Sequence, residues 1–474
     1  MKMNDSLTLP PPRVVPELDP DFRPPILFNR RFRRLAAESG AAVPAALALE
    51  QADGGLFHFE TLLLPDRHPE ALVANPFYLE RLVKFLLWSR GAFRLYVSAP
   101  PALVEALRRH FSETPTGRFD ATLMGEQVYE KPFEVVGCDR RDLPPPHEPT
   151  RPLGRHLSGC RLGFDLGASD RKVAAVVDGE VVFSDEMPWN PVPQSDPQWH
   201  YDRIMETLRH GAAHLPRVDA IGGSAAGVYV NNRVKVASLF RGVPRPLFEG
   251  RVRNLFLEMQ RAWKGVPFEV VNDGEVTALA GSMALNRNSL LGIAMGSSEA
   301  AGYVTARGTI TTWLNELAFA PVDYNPKAPK DEWSGDRGCG ALYFSQQAVG
   351  RLMERAGIPV SADTPLPVRL EEVQALMKQN DPRAARIYRT IGVYFGYTIA
   401  HYADFYHIEN VLVLGRVMTG EGGNRILETA RQVLKQEFPE LFDRIAFHFP
   451  DERMKRHGQA VAAASLPNLP SDRP

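Results

Sequence analysis

Two rhythms of apolar residues run along this chain, and they predict its elements. Apolar positions two apart mark strands, and positions three and four apart mark helices. Ala45–Leu49 and Leu56–Leu64 flank Asp53-Gly54-Gly55, which predicts a β-hairpin. Leu79, Leu82, Val83, Leu86 and Leu87 predict a helix over Phe77–Ser89, followed by a strand at Phe93–Val97 and a helix at Ala102–Phe111. Further on, Arg161–Leu166, Lys172–Val177 and Glu180–Ser184 read as three short strands. A helix over Pro197–Leu215 and strands at Ala220–Gly223 and Phe268–Val271 follow, then a helix over Gly274–Asn286. The three-strand start recurs at Leu290–Met295, Ala300–Thr305 and Ile310–Leu314. Helices over 342–356 and 384–405, a strand at Val411–Leu414, and helices over 422–438 and 452–464 complete the chain. A strand-rich start that occurs twice between residues 160 and 466 implies a duplicated α/β architecture.

Prolines set the boundaries. Residues 1–25 hold Pro10, Pro11 and Pro12 and are expected to be an extended, disordered arm. Residues 139–158 hold Pro144, Pro145, Pro146, Pro149 and Pro152 and read as a linker. The expected division is therefore an arm (1–25), an N-terminal α/β unit (26–138), the linker (139–158), and two lobes (159–288 and 289–474).

Composition narrows the class. With 474 residues, 44% hydrophobic and 23% charged, the chain is long enough for several cores and has a globular make-up. A net charge of -1 supplies no global field for nucleic acid or an anionic membrane. Cys138, Cys160 and Cys339 are far apart and form no CxxC pair, which fits a reducing compartment. The N-terminal stretch lacks the apolar core of a secretory signal, and the apolar runs are too short to span a bilayer. A cytoplasmic location is expected.

Four motifs carry the chemistry. In Gly163–Lys172 an acidic residue near the end of a strand precedes a small-residue turn. Such a turn lets backbone N–H groups approach phosphate oxygens, and Asp165 would hold a Mg²⁺ ion. Taken alone, the motif is as readily an ordinary Gly-turn hairpin. Asn272-Asp273 ends the apolar run 268–271 and opens a helix, where ligands bind in open α/β sheets. Asp273 there can accept a proton from a hydroxyl, although on spacing alone a helix cap is the better reading. Gly292–Gly302 repeats the strand–turn–strand logic. Val411–Gly420 ends a buried strand in Gly415, which suits a flat adenosine. No GxxxxGK[ST] loop is present.

In this order the four motifs resemble the phosphate-1, catalytic, phosphate-2 and adenosine motifs of the ROK family (repressors, open reading frames, kinases), over residues 160–466. The resemblance implies an α/β fold of two RNase H-like lobes of the actin/hexokinase type, here with an additional N-terminal α/β domain. It implies an ATP- and Mg²⁺-dependent sugar kinase with Asp273 as general base. Gly167, Ala168, Ser169, Gly296, Ser297 and Ser298 would contact the nucleotide phosphates, and Gly415 would lie beside the adenosine. Glu316 and Asn272 would bind the sugar, with Ser238 in the sugar-specificity loop. Ile221–Gly227 is similar to the loop before the family's sugar site. The chain also departs from the pattern. Phe319 stands where the family has a sugar- and zinc-binding His, and Trp333–Gly340 keeps only Cys339 of the zinc knuckle's cysteines. No zinc site is expected. Ser298 and Glu299 replace a glycine and a neutral residue in phosphate-2, where a carboxylate repels triphosphate unless it turns away or holds the metal.

These departures keep a second reading open, a non-catalytic sugar sensor or regulator of the same family. The family's DNA-binding regulators carry a winged helix–turn–helix, but here Val43–Leu49 is almost wholly apolar where polar DNA contacts are needed. The basic cluster Arg30, Arg31, Arg33 and Arg34 reads as a solvated helix face. Val228–Lys235 and Lys327–Trp333 read as surface loops. The expected partner is a small-molecule sugar, with no membrane or nucleic acid, and homodimerisation stays open. Residues 26–138 are expected to form a third, degenerate layer of the lobes' topology. That layer would bind no nucleotide and would dock on residues 160–300 or on a second subunit through Phe77, Tyr78 and Trp88.

Overall fold

A computed structural model describes residues 8–52, 54–147, 153–450 and 458–469. Three mixed sheets organise the chain. The first belongs to the N-terminal unit. Helix α1 (Pro25–Glu38) leads into strands β1 (Val43–Glu50) and β2 (Leu56–Leu63), then helix α2 (Ala71–Arg90), β3 (Arg94–Ser98) and β4 (Glu134–Gly137). The sheet order is β2-β1-β3-β4, with β1 antiparallel to both neighbours and β4 parallel to β3. Asp53 lies outside the described residues, but Gln51 and Gly55 close the predicted hairpin through a 2.8 Å backbone bond.

The first lobe holds β5 (Cys160–Leu166), β6 (Asp170–Val177), β7 (Glu180–Pro188), β8 (Ala220–Ala225) and β11 (Phe268–Asn272) in the order β11-β8-β5-β6-β7. β5 to β7 form an antiparallel meander, and β8 and β11 run parallel to β5. A small hairpin, β9 (Val228–Val230) and β10 (Arg233–Val236), projects from β8. The second lobe holds β12 (Leu290–Met295), β13 (Glu299–Val304), β14 (Asn410–Leu414) and β15 (Ala446–His448) in the order β13-β12-β14-β15. The helix Asp273–Leu285 leaves β11 and packs on β12 and β13. The helix Gln459–Ala464 returns to lie across β5 and β8. The two lobes are thus tied by crossing helices at the base of the cleft between them.

Several expectations are corrected. Ile310–Leu314 is not a third strand of the second lobe: Ile310 makes only isolated bridges to Val304 and Leu153. The reason is competition for backbone donors, since the N–H groups of Leu314, Asn315 and Glu316 bond instead to the carbonyls of Arg90, Ser89 and Trp88. Residues 8–24 are no disordered arm. Phe22 is fully buried, with its ring centroid 4.8 Å from that of Tyr394. Asp19 accepts bonds from Tyr394 Oη and Arg355 at 2.6 Å each. Residues 1–7 and 148–152 lie outside the described residues. Either side of the latter, the expected linker is tied down by bridges from His147 to Leu56 and from Leu153 to Ile310.

The N-terminal unit neither repeats the lobes' strand order nor docks chiefly on the first lobe. Its apolar core is continuous with that of the second lobe, where Phe85 lies against Phe405 and Trp88 against Phe319. The first lobe has a separate core. Three of the four arginines of α1 make ion pairs, while Arg34 stays exposed as expected. Arg30 pairs with Asp404 (3.1 Å) and Glu440 (2.8 Å), Arg31 with Glu70 (2.7 Å), and Arg33 with Asp404. No helix among the described residues is long and apolar enough to cross a membrane.

Candidate functional site

The cleft is built on strand ends. Asp165 is the penultimate residue of the wholly buried β5 and is 5% exposed. Its Oδ1 accepts a bond from Ser224 Oγ on β8 at 2.5 Å. Burial pushes its carboxyl up to about 6, against the Ser224 bond and with a further push from Asp273. The next residues, Gly167 to Asp170, make a tight turn in which Ala168 and Ser169 are exposed. Gly167 N–H donates to the Asp170 carbonyl (2.9 Å), and Trp189 Nε1–H donates to the Gly167 carbonyl (2.8 Å). This turn therefore offers open backbone at the same strand end as Asp165.

Asn272 and Asp273 divide their labour. Asn272 is the N-cap of the helix: its Oδ1 accepts the Gly274 N–H (2.7 Å), and its Nδ2 donates to the Gly227 carbonyl (2.7 Å). The cap that spacing alone assigned to Asp273 is thus supplied by its neighbour. Asp273 is half-buried, with Oδ1 also 3.0 Å from the Gly274 nitrogen. Burial raises its carboxyl, opposed by those backbone bonds. Glu316 lies close enough to feel Asp273. Burial first, and the charge of Asp273 second, push Glu316 up to about 7. Asp165 and Glu316 thus both feel the charge of Asp273.

A cavity of about 370 Å³ is lined by Glu316 and by Asn272, the neighbour of Asp273, but not by Asp165 or Asp273 themselves. Asn272, Glu275 and Glu316 line it from one side and the β9–β10 hairpin from another, while Gln51 and Tyr129 of the N-terminal unit close it. Of Val228–Lys235, expected as a plain surface loop, residues Val228–Asn232 thus form a wall of this cavity. Lys327–Trp333 is also more than a surface loop, for Asp331 is buried and its Oδ1 accepts the Ser334 N–H (2.7 Å). Ser238 does not join the site. It is exposed at the start of a single turn, Ser238–Phe240, and does not line the cavity. Glu275, Tyr229 and Gln51 carried no sequence signal, because only the packing of three separate segments brings them to one space. Burial pushes Glu275 up to about 8, against the bonds it accepts from Asn315 Nδ2 and the Tyr303 N–H.

On the second lobe, the turn after β12 presents half-buried Gly296 and exposed Ser297 and Ser298. A Cβ on Gly296 would find only the Ser298 carbonyl, at 3.6 Å, so the space above the turn is open. Gly415 (φ 101°) lies against this turn, for a Cβ there would strike the Met295 backbone. Glu299 turns away from the turn. It is 4% exposed, faces Gly340, and neither carboxylate oxygen has a hydrogen-bond partner among the described residues. Burial, with Glu316 adding to it, pushes its carboxyl up to about 8. A residue that reads in sequence as a repulsive charge at the phosphate turn is thus a buried acid turned away from that turn, its carboxyl raised by burial.

These turns and Asp165 fit a nucleotide with its divalent ion. The turns carry exposed backbone and small side chains, and Asp165 supplies a carboxylate at the head of the cleft. No zinc centre fits the other departure. Phe319 stacks on Trp88 at 4.3 Å, Cys339 is buried with its thiol pushed up to about 12, and the described residues contain no cluster of three or more His, Cys, Asp or Glu able to hold a metal.

The raised carboxyl of Glu316 has a measurable consequence. A carboxyl whose folded value lies above its unfolded one costs stability as pH rises from the unfolded value through the folded one. For Glu316 that window runs from about 4.5 to about 7. Glu316→Gln should therefore raise the melting temperature at pH 8, with the gain vanishing as pH falls towards 4.5. Thermal melts of both proteins across this range check it.

No family model matches the chain, and no curated protein does. Solved structures do. The chain is similar to the ROK hexokinase of Thermus thermophilus, with 17% identity over 64% of this chain and 96% of that one and a TM-score of 0.51. It is also similar to a ROK family transcriptional regulator described as a homologue of the E. coli MLC protein, with 19% identity over 65% of this chain and 79% of that one and a TM-score of 0.52. Likeness at this level of identity establishes a shared fold.

Proposed function

Because about two-thirds of the chain carries the fold of ROK-family hexokinases and regulators, we propose that it is an ATP-dependent kinase of a sugar or sugar derivative. The single observation that carries this reading is the placement of Asp273. Asn272 supplies the helix cap, Asp273 opens that helix at the C-terminal end of a parallel strand, and its charge reaches Glu316, which lines the cavity together with Asn272. A carboxylate at a cleft whose pKa burial raises is suited to take a hydroxyl proton. In this reading the acceptor sits in the cavity, Glu316 and Asn272 hold its hydroxyls, and Asp273 accepts the proton of the attacking hydroxyl. ATP·Mg²⁺ supplies the phosphoryl group when bound. Asp165 would face the metal ion, the turns at Gly167–Ser169 and Gly296–Ser298 would face the phosphates, and Gly415 the adenosine. The protein's part is then positioning and charge placement.

A non-catalytic sugar-sensing regulator is the second reading. Phe319 favours it, because it lies stacked on Trp88 where the family resemblance puts a sugar-binding His. Coupled ADP-release assays on the full chain, run with a panel of hexoses, amino sugars and N-acyl sugars, separate the two. The kinase reading expects sugar-dependent ADP release. Sugar binding by calorimetry without any ADP release would overturn it in favour of the regulator.

A further inference from the structure

A dense cluster of buried charge lies on α2, outside the cleft. Lys84, 1% exposed, donates to both carboxylate oxygens of Asp120 (2.8 and 2.9 Å) and lies 3.3 Å from Asp336 Oδ2. Arg81 donates to the same Asp336 oxygen at 2.9 Å. Trp88 Nε1–H donates to Asp120 Oδ1 at 3.1 Å. Burial by itself would raise the Asp336 carboxyl, but Arg81 and Lys84 outweigh it and hold it well below the usual range. Asp336 belongs to the turn that starts at Asp331, whose N–H donates to the Asp336 carbonyl at 2.7 Å.

Two turns further along α2 the helix ends, and its last carbonyls have no partner within the helix. They find partners in the second lobe. The carbonyls of Trp88, Ser89 and Arg90 accept the N–H groups of Glu316, Asn315 and Leu314 at 3.0, 3.1 and 3.2 Å. The Arg90 guanidinium lies 3.6 Å from the Trp313 ring and 4.3 Å from that of Tyr406. Tyr406 Oη in turn donates to Asn315 Oδ1 at 2.7 Å. One helix of the N-terminal unit thus grips two segments of the second lobe, the 331–340 turn through ions and the 313–316 ribbon through its carbonyls. Phe319 lies between the two grips, on Trp88.

We propose that α2 is a positioning element for the acceptor side of the cleft, with Lys84 locking the 331–340 segment and the Trp88–Arg90 carbonyls locking the ribbon that carries Glu316. A buried ion-pair lattice contributed by the N-terminal unit thus orders both segments. Lys84 touches no substrate and acts through Asp336, Asp120 and Trp88. The consequence for acceptor binding rests on the kinase reading of Glu316, whereas the ordering of the two segments does not.

The test uses the full chain with Lys84→Met, which leaves Asp120 and Asp336 without their shared cation, and Lys84→Arg, which keeps the charge. Two readouts are taken: steady-state kinetics for each substrate, and amide hydrogen exchange by mass spectrometry. In Lys84→Met, amides of 314–316 and 331–340 should exchange faster while those of β5 and β8 do not change. Acceptor kcat/KM should fall by about 100-fold, carried by the acceptor KM, with the KM for ATP unaltered. Lys84→Arg should restore most of both. A chelator such as 1,10-phenanthroline should leave the exchange of 331–340 unchanged in the wild type. Unchanged exchange at 314–316 in a folded Lys84→Met protein would overturn the proposal, as would chelator-induced loosening of 331–340. Should Lys84→Met not fold, Arg81→Met removes the other cation on Asp336 and is read by the same criteria. If the wild type phosphorylates no sugar, the kinase reading falls, and hydrogen exchange alone decides the role of α2.

Discussion

Replacing Asp273 by Asn should lower kcat by a factor of roughly 10² to 10⁴, the range a positioned general base supplies, while ATP affinity and the fold stay intact. Asn is isosteric with Asp, and the helix keeps its cap because Asn272, not Asp273, supplies it. What disappears is a proton acceptor next to Asn272, which lines the cavity. A second effect travels with the first. The charge of Asp273 helps to hold the carboxyls of Asp165 and Glu316 above their ordinary values, so both should titrate lower in the mutant. Rapid-quench measurement of a single turnover, with nucleotide binding followed separately by calorimetry, checks the first effect. NMR titration of selectively labelled carboxyls checks the second. A kcat within a few-fold of wild type would remove Asp273 from the role of base and shift the reading to the non-catalytic regulator.

The second large effect is one of packing. Gly163 and Gly222 sit side by side on β5 and β8, directly under the returning helix Gln459–Ala464. A Cβ at Gly163 would land on the Ala460 carbonyl oxygen, and one at Gly222 on the Ala463 carbonyl oxygen. The obstruction is backbone rather than the tip of a flexible side chain, so the helix itself has to move. Gly163→Ala is therefore expected at or above the upper end of the overpacking range, about 3 kcal/mol. It should also lower turnover, because Asp165 lies two residues further along β5. Gly250→Ala is the control, since a Cβ there meets nothing within 4 Å, and it should be neutral to within about 0.5 kcal/mol. Differential scanning calorimetry of the two variants checks both. Equal melting temperatures would mean that the helix is not seated on these strands.

Most strands of the two lobes were legible because each is a short apolar run closed by a Gly or Asp turn. Asp178-Gly179, with both residues at positive φ, sits between β6 and β7 as its chemistry demands. The phosphate-type turns were legible for the same reason: small residues after a buried strand leave few other structures available. Periodicity misled where a segment's backbone partners come from elsewhere. Ile310–Leu314 has strand-like residues, yet the carbonyls at the end of α2 take the donors that follow it. Likewise, Pro10–Pro12 suggested disorder, but Leu18 and Phe22 supply enough burial to fix the segments around them on the second lobe.

What the sequence by itself determined is therefore local and periodic. It determined the duplicated strand-rich starts, the acid at the end of β5, the Asn-Asp pair that opens a helix, the glycines at turns, and through them the fold and the first candidates for the site. Only the tertiary structure decided which of those side chains meet, and in what state. It made Asn272 rather than Asp273 the cap, turned Glu299 away from the phosphate-type turn into a buried site, left Ser238 outside the cavity, and brought Gln51 and Tyr129 into it. It also placed the N-terminal unit on the second lobe rather than the first. The physical reason is common to all of these. A turn or a strand follows from the conformational preferences of adjacent residues, whereas burial, raised carboxyls and ion pairs such as Lys84–Asp120 depend on groups far apart along the chain that only the packed core brings within a few ångströms.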